Sequence, residues 1–199
     1  MSAAPIRKLT PEEYLAIERA ATFKSEFYRG EMFAMAGANR NHNRLFHNLS
    51  YLLQHQLKSD SCSLMGPDMR VATASQRNYF YPDLVIVCEK PQFLENAFDT
   101  LVNPQVIFEI LSESTERFDR GDKFEEYRNI ASLQEYVLVS QDKMLIQRFV
   151  RQSEDHWDMR IFKDAAGDFS LESVKVTIPL KDIYAGVEFD KSKEEITPA

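Results

Sequence analysis

The segment Val106-Ile107-Phe108-Glu109-Ile110-Leu111 sets one carboxylate among five apolar residues. Burying an unpaired charge is costly, so Glu109 must be paired, protonated or metal-bound. An edge position, or a nearby arginine, is the plainer explanation. A second acid, Asp83, opens the apolar run Leu84-Val85-Ile86-Val87 directly after Tyr81-Pro82. Pro-Asp is also ordinary turn chemistry before a strand. Taken together, two acids on neighbouring strands about 5 Å apart would converge. Two oxygen ligands plus water is how proteins hold Mg²⁺. The third candidate is Lys123, in Asp119-Arg120-Gly121-Asp122-Lys123-Phe124-Glu125-Glu126-Tyr127. Asp119, Lys123 and Tyr127 are spaced for one helical face, and an Asp119–Lys123 surface pair would be worth only about 0.3–0.5 kcal/mol. From Glu109 the strand advances roughly 10 Å to Ser112. A helix starting near Arg117 and running back would bring Lys123 down by roughly 9 Å. Lys123 is therefore expected near the level of Glu109, as a charge stabiliser that orients water.

Other candidates are less specific. His42 lies at a helix start, in Asn39-Arg40-Asn41-His42-Asn43-Arg44. Free N–H groups there, with Arg40 and Arg44, could bind phosphate. A helix start rich in capping residues explains the run almost as well. His42 and His47 are five apart and do not stack as zinc ligands in H-E-x-x-H do. Glu31 shares a strand face with Phe33 and Met35, and is either a solvent group or an inward acid.

The elements that must position these residues follow from patterning. Thr10 with Glu13 forms a capping box that opens a helix to about residue 21. A hairpin is expected over residues 26–36, turning near Arg29-Gly30. A long helix over 41–58 carries Leu45, Leu49, Leu52 and Leu53 on its inner face. Strands are expected over 63–65, 69–74, 83–87, 106–111, 135–140, 145–151, 157–162 and 171–176. One helix begins at Ser114 or Thr115 and ends near 130, and a last turn covers 180–184. The runs 84–88 and 106–111 are apolar almost throughout, as in strands covered on both faces. The expected fold is α/β (α+β), a mixed central sheet flanked by helices with additional C-terminal strands. Residues 1–190 read as one domain and 191–199 as a charged, frayed tail.

Composition sets the limits. The chain has 199 residues, 44% hydrophobic and 28% charged, with 24 Lys and Arg against 31 Asp and Glu. The net charge of -7 excludes a uniformly basic coat but not a local basic groove. The six glycines are too scattered for a dinucleotide or Walker loop, and no G-x-S-x-G elbow is present. Cys88 reads as a small core residue, and two cysteines make no disulfide framework. The first twenty residues lack a signal-peptide core, and no apolar run approaches the roughly 18 residues of a membrane span. A reducing, cytoplasmic setting is expected.

The ordered set Gly30-Glu31, Met35-Ala36-Gly37, Asn41-His42-Asn43-Arg44, Tyr81-Pro82-Asp83, Glu109-Ile110-Leu111-Ser112, Ser114-Thr115 and Asp119-Arg120-Gly121-Asp122-Lys123 with Tyr127 resembles one bacterial family. It is the Uma-type family of restriction-endonuclease-like proteins, within the PD-(D/E)XK nuclease superfamily. The resemblance runs from Thr10 to Tyr184. It implies a restriction-endonuclease-like core, often dimeric, and a metal-dependent endonuclease acting on nucleic acid, DNA in the first instance. It also implies Mg²⁺ or Mn²⁺ held by Asp83, Glu109 and the carbonyl of Ile110. The superfamily lysine normally sits two residues after the second acid, where this chain has Leu111, so Lys123 would have to replace it. Glu31, His42, Asp119 and Tyr127 are accessory candidates, and Arg40 and Arg44 nucleic-acid-binding ones. A homodimer would use the last third of the chain, through Tyr136, Phe149, Trp157 and Phe162. The competing readings are a catalytically silent nucleic-acid-binding or scaffold module on the same fold, and a hydrolase of another phosphate ester.

Overall fold

The computed structural model describes residues 7–35, 37–57 and 62–190. The expected tail, and the ends of the hairpin and long helix at Ala36 and Lys58, lie outside the described residues. Helix α1 (Pro11–Ala20) begins with the expected capping box, in which Thr10 and Glu13 satisfy each other's backbone N–H groups. The hairpin of β1 (Ser25–Tyr28) and β2 (Glu31–Ala34) turns at Arg29-Gly30. Both turn residues have positive φ, 51° and 87°. That is the backbone twist two-residue hairpins favour. Helix α2 (Arg40–Gln56) buries Leu45, Leu49 and Leu53.

Strands β3 (Cys62–Met65), β4 (Arg70–Ala72), β5 (Tyr79–Phe80), β6 (Leu84–Cys88), β7 (Thr100–Leu101) and β8 (Val106–Leu111) follow. Two short helices, α3 (Glu116–Arg120) and α4 (Asp122–Tyr127), lead to β9 (Glu135–Ser140), β10 (Ile146–Arg151) and β11 (Trp157–Phe162). A hairpin of β12 (Asp168–Leu171) and β13 (Val176–Pro179) precedes the last turn, α5 (Leu180–Ile183).

The central sheet has the order β11-β10-β9-β8-β6-β3 and is mixed: β8 and β9 run parallel, the other neighbours antiparallel. The two apolar runs, β6 and β8, are interior neighbours in it. A smaller sheet has the order β2-β1-β5-β4-β7. The chain passes from one sheet to the other at Tyr81-Pro82-Asp83, between β5 and β6. Proline has no N–H to continue a ladder, which suits a change of sheet.

The central sheet separates two cores. On one side Phe108, Ile110, Val137 and Val139 meet Leu45, Leu49 and Leu53 of α2 and Phe169 and Ile178 of the last hairpin. On the other, Ile107, Leu111, Tyr136 and Leu138 meet Tyr127, Tyr28 and Phe80. Glu109 points to this second side, since side chains alternate along a strand.

Four expectations need correction. The helix after Ser114 is two helices, because Gly121 leaves helical geometry with φ -113° and ψ -101°. The strand expected over 171–176 is a turn joining two strands, and only its ends, Leu171 and Val176, are in strands. Cys88 is not a free core thiol: Cys62 and Cys88 are opposite residues of β3 and β6, joined as a disulfide. Tyr136 and Phe162 are buried, and Phe149 and Trp157 pack with Tyr136 around Phe124. Those aromatics fill the interior and leave little surface for a partner subunit. Among the described residues no helix is long and apolar enough to cross a membrane.

Candidate functional site

The antiparallel register of β6 and β8 pairs Leu84 with Phe108, which sets Asp83 opposite Glu109 one step further. Asp83 stands at the mouth of its strand. Its Oδ2 accepts the N–H of Ile110 at 2.7 Å, and its Oδ1 lies 3.1 Å from His42 Nε2. Helix α2 delivers His42 because Asn39 caps it, accepting the His42 N–H at 2.9 Å. That cap occupies one N–H group that a bound phosphate would use.

Lys123 comes from α4, and its Nζ lies 2.9 Å from Glu109 Oε1. It also lies 2.9 Å from Glu26 Oε1 and 3.4 Å from Asp119 Oδ1. Lys123, Glu109 and Asp119 are all nearly inaccessible. The Tyr127 hydroxyl donates to Glu109 Oε1 at 3.4 Å, and the Tyr136 hydroxyl to the Asp119 carbonyl at 2.8 Å. Phe80 covers the ammonium, its ring centre 5.6 Å from Nζ. Glu26 is fixed by the Tyr81 N–H, donated at 3.0 Å from the sheet crossover.

Glu26 is the member that sequence reasoning missed. It sits in Ser25-Glu26-Phe27-Tyr28, where an acid in a hairpin reads as a solvent group. On that hairpin the accessory candidate was Glu31, read as either a solvent group or an inward acid. Glu31 lies instead on β2, the outer strand of the smaller sheet, with its side chain 56% exposed beside Lys8. Phe33 and Met35 on that face are also exposed. An available signal was proximity to the crossover: β1 pairs with β5, the strand that ends where Tyr81-Pro82-Asp83 begins.

The electrostatics are those of surplus acid. Burial raises the Glu109 carboxyl well above its ordinary value; Lys123 pulls it down, and Asp119, Asp83 and Glu26 push it up again. Burial raises Asp119 too, against the pull of Lys123. Burial alone would lower the Lys123 ammonium, but Glu109 and Glu26 more than reverse that and hold it cationic. One lysine therefore faces three carboxylates, with Asp83 close by. The donor set is hard oxygen, suited to a divalent cation of the Mg²⁺ class. Among the described residues no three His, Cys, Asp or Glu side chains stand close enough to cage a metal. Mg²⁺ is usually held by one or two carboxylates and several waters, so the pair Asp83 and Glu109 is not too few. Arg40 and Arg44 lie outside this cluster. Arg40 forms a double ion pair with Glu188, at 2.7 and 2.9 Å, and Arg44 is exposed over Gly186.

This fold is shared with a solved structure. A crystal structure of a putative nuclease belonging to DUF820 from Anabaena variabilis superposes with a TM-score of 0.74, covering 89% of this chain and 98% of that one at 16% identity. The chain belongs to the Uma2 family, described as putative restriction endonuclease, whose sequence model matches residues 11–180. Two uncharacterized proteins of Synechocystis are similar to it. One is 40% identical over 157 residues, covering 79% of this chain and 89% of its own. The other is 32% identical over 186 residues, covering 94% and 96%.

Proposed function

We propose that this chain is a divalent-metal-dependent nuclease that hydrolyses phosphodiester bonds of nucleic acid, DNA in the first instance. The observation that carries the reading is the buried Lys123 ammonium, 2.9 Å from both Glu26 and Glu109, on the edge of a site with surplus carboxylate. Asp83 and Glu109, with the carbonyl of Ile110, would hold Mg²⁺ or Mn²⁺. Such an ion supplies an acidified water and offsets charge on the phosphate.

The rest is work for the chain's own groups. Lys123 orients the attacking water or meets the negative charge that develops on phosphorus oxygens. Glu26 and Asp119 hold the ammonium in place and cationic. Tyr127, one turn further along α4, donates to the same Glu109 oxygen that Lys123 meets. The N–H of Ile110 fixes Asp83, which leaves its other oxygen, now facing His42, as the one to be exchanged. Arg40 and Arg44 attract the nucleic-acid backbone at the head of α2.

A silent binding module on the same fold would need Lys123 tied up by Asp119. Asp119 is instead the longest of its three carboxylate contacts. The test is cleavage of plasmid, single-stranded DNA and RNA with Mg²⁺ or Mn²⁺, wild type beside Asp83→Ala prepared identically. Wild type is expected to cleave and the variant to be silent. Equal cleavage by both would remove the proposed site, and cleavage by neither would favour the binding module.

A further inference from the structure

The chain carries 31 Asp and Glu in 199 residues, yet α2 contains none of them. Its sequence, RNHNRLFHNLSYLLQHQ, holds two arginines and three histidines. A helix turns about 100° per residue, so Arg40, Arg44, His47, Tyr51 and His55 fall within about 80° of one another. They form one stripe about 22 Å long. It lies opposite Leu45, Leu49 and Leu53, which face the core. Arg40, Arg44, His47, Tyr51 and His55 are all exposed, and Tyr51 is 70% exposed, a large aromatic with one face open to solvent. The Tyr51 and His55 rings lie 6.3 Å apart, tilted by 34°. The same helix reaches Asp83 through His42, which lies about 200° round from Arg40, so the stripe runs along the face of α2 turned away from the candidate site.

A solvated helix face in an acidic protein ordinarily mixes both signs of charge. The residues α2 itself contributes to this face carry no acid and interleave arginines with planar rings, as proteins that bind unpaired nucleic acid do. A duplex would offer phosphates to the arginines but no free base to Tyr51. Glu188 now pairs with Arg40 and is the carboxylate a phosphate would replace.

We propose that the outward face of α2 is a track for single-stranded nucleic acid, with phosphates at Arg40 and Arg44 and an unpaired base stacked on Tyr51. The proposal deepens the nuclease reading and rests on it for the class of substrate.

The test is anisotropy of fluorescein-labelled twelve-residue oligothymidylate, with EDTA present to prevent cleavage, on the full chain. A twelve-base-pair labelled duplex is measured in parallel. Tyr51→Ala is expected to weaken binding of the single strand by about fivefold or more. Tyr51→Phe, which keeps the ring, stays within about twofold of wild type. Arg44→Gln reduces the slope of log affinity against log salt by about 0.7. Oligothymidylate binding that is absent in wild type, or unchanged in Tyr51→Ala, overturns the proposal. So does an equal loss on the duplex.

The two readings fail separately. If Tyr51→Ala loses binding while wild type cleaves nothing, the track stands and the hydrolytic reading falls. If Asp83→Ala abolishes cleavage while Tyr51→Ala binds as wild type does, the track falls alone.

Discussion

Glu109 is the residue on which most of the site's charge balance turns. Buried among Lys123, Asp119, Asp83 and Glu26, its carboxyl titrates above the ordinary range, mainly because burial disfavours the charged form. Folding then depends on pH in a defined direction. The native state keeps a proton that the unfolded chain releases from about pH 4.5 upward. That stabilisation is complete below the unfolded value and is lost as pH rises through the raised native value. The metal-free protein is therefore expected to resist urea better at about pH 5.5 than at about pH 8. Glu109→Gln, neutral at both, should flatten the difference, and Mg²⁺ should restore stability to wild type at the higher pH only. An unchanged pH slope in Glu109→Gln would assign the effect elsewhere. Glu109 and Lys123 were legible in the sequence for one reason each: an acid inside an apolar run needs a partner, and a lysine at the right descent along a helix can supply it. Glu26 was not legible, because its partners, the Tyr81 N–H and the Lys123 ammonium, are distant in sequence and meet it only where the two sheets join.

At the scale of elements, long periodic segments were readable and short ones were not. The leucine spacing of α2 and the apolar runs of β6 and β8 carry their own signal. Strands β5 and β7 are two residues each, too short for any period to show, and are held by their neighbours in the smaller sheet. Gly121 breaks what would have been one helix, since its geometry depends on the packing of α3 and α4 on either side of it. The cysteines illustrate the same limit: a spacing of 26 residues says nothing until β3 and β6 are paired in register. The bridge ties β3, the outermost strand of the central sheet, to the strand that Asp83 opens. Closing a loop of that separation contributes about 3.5 kcal/mol. Cys62→Ser, or reduction by dithiothreitol, is expected to lower unfolding stability by about that amount. Two reactive thiols in the unfolded, unreduced protein would overturn the bridge.

At the scale of the whole molecule, Lys123 is where separate parts meet. Glu26 belongs to the smaller sheet, Glu109 to the central sheet and Asp119 to the helices that cover their junction. The ammonium bonds to all three, so the group proposed for chemistry also joins two sheets. Removing it should cost more than activity. A buried charge stripped of its partner typically costs about 3–5 kcal/mol, and here the carboxylates left behind would repel one another. Lys123→Met, close in length and apolar, is expected to abolish cleavage and to lower the unfolding free energy measured in urea by an amount in that range. If the loss arises from the stranded acids, neutralising them should recover it. The triple variant Glu26→Gln/Glu109→Gln/Lys123→Met should regain most of the stability while remaining inactive. Recovery separates the two roles of the lysine: the amides can replace the joint but cannot replace the cation. A triple variant no more stable than Lys123→Met would place the loss in packing against Phe80, whose ring lies 5.6 Å from the ammonium, rather than in charge.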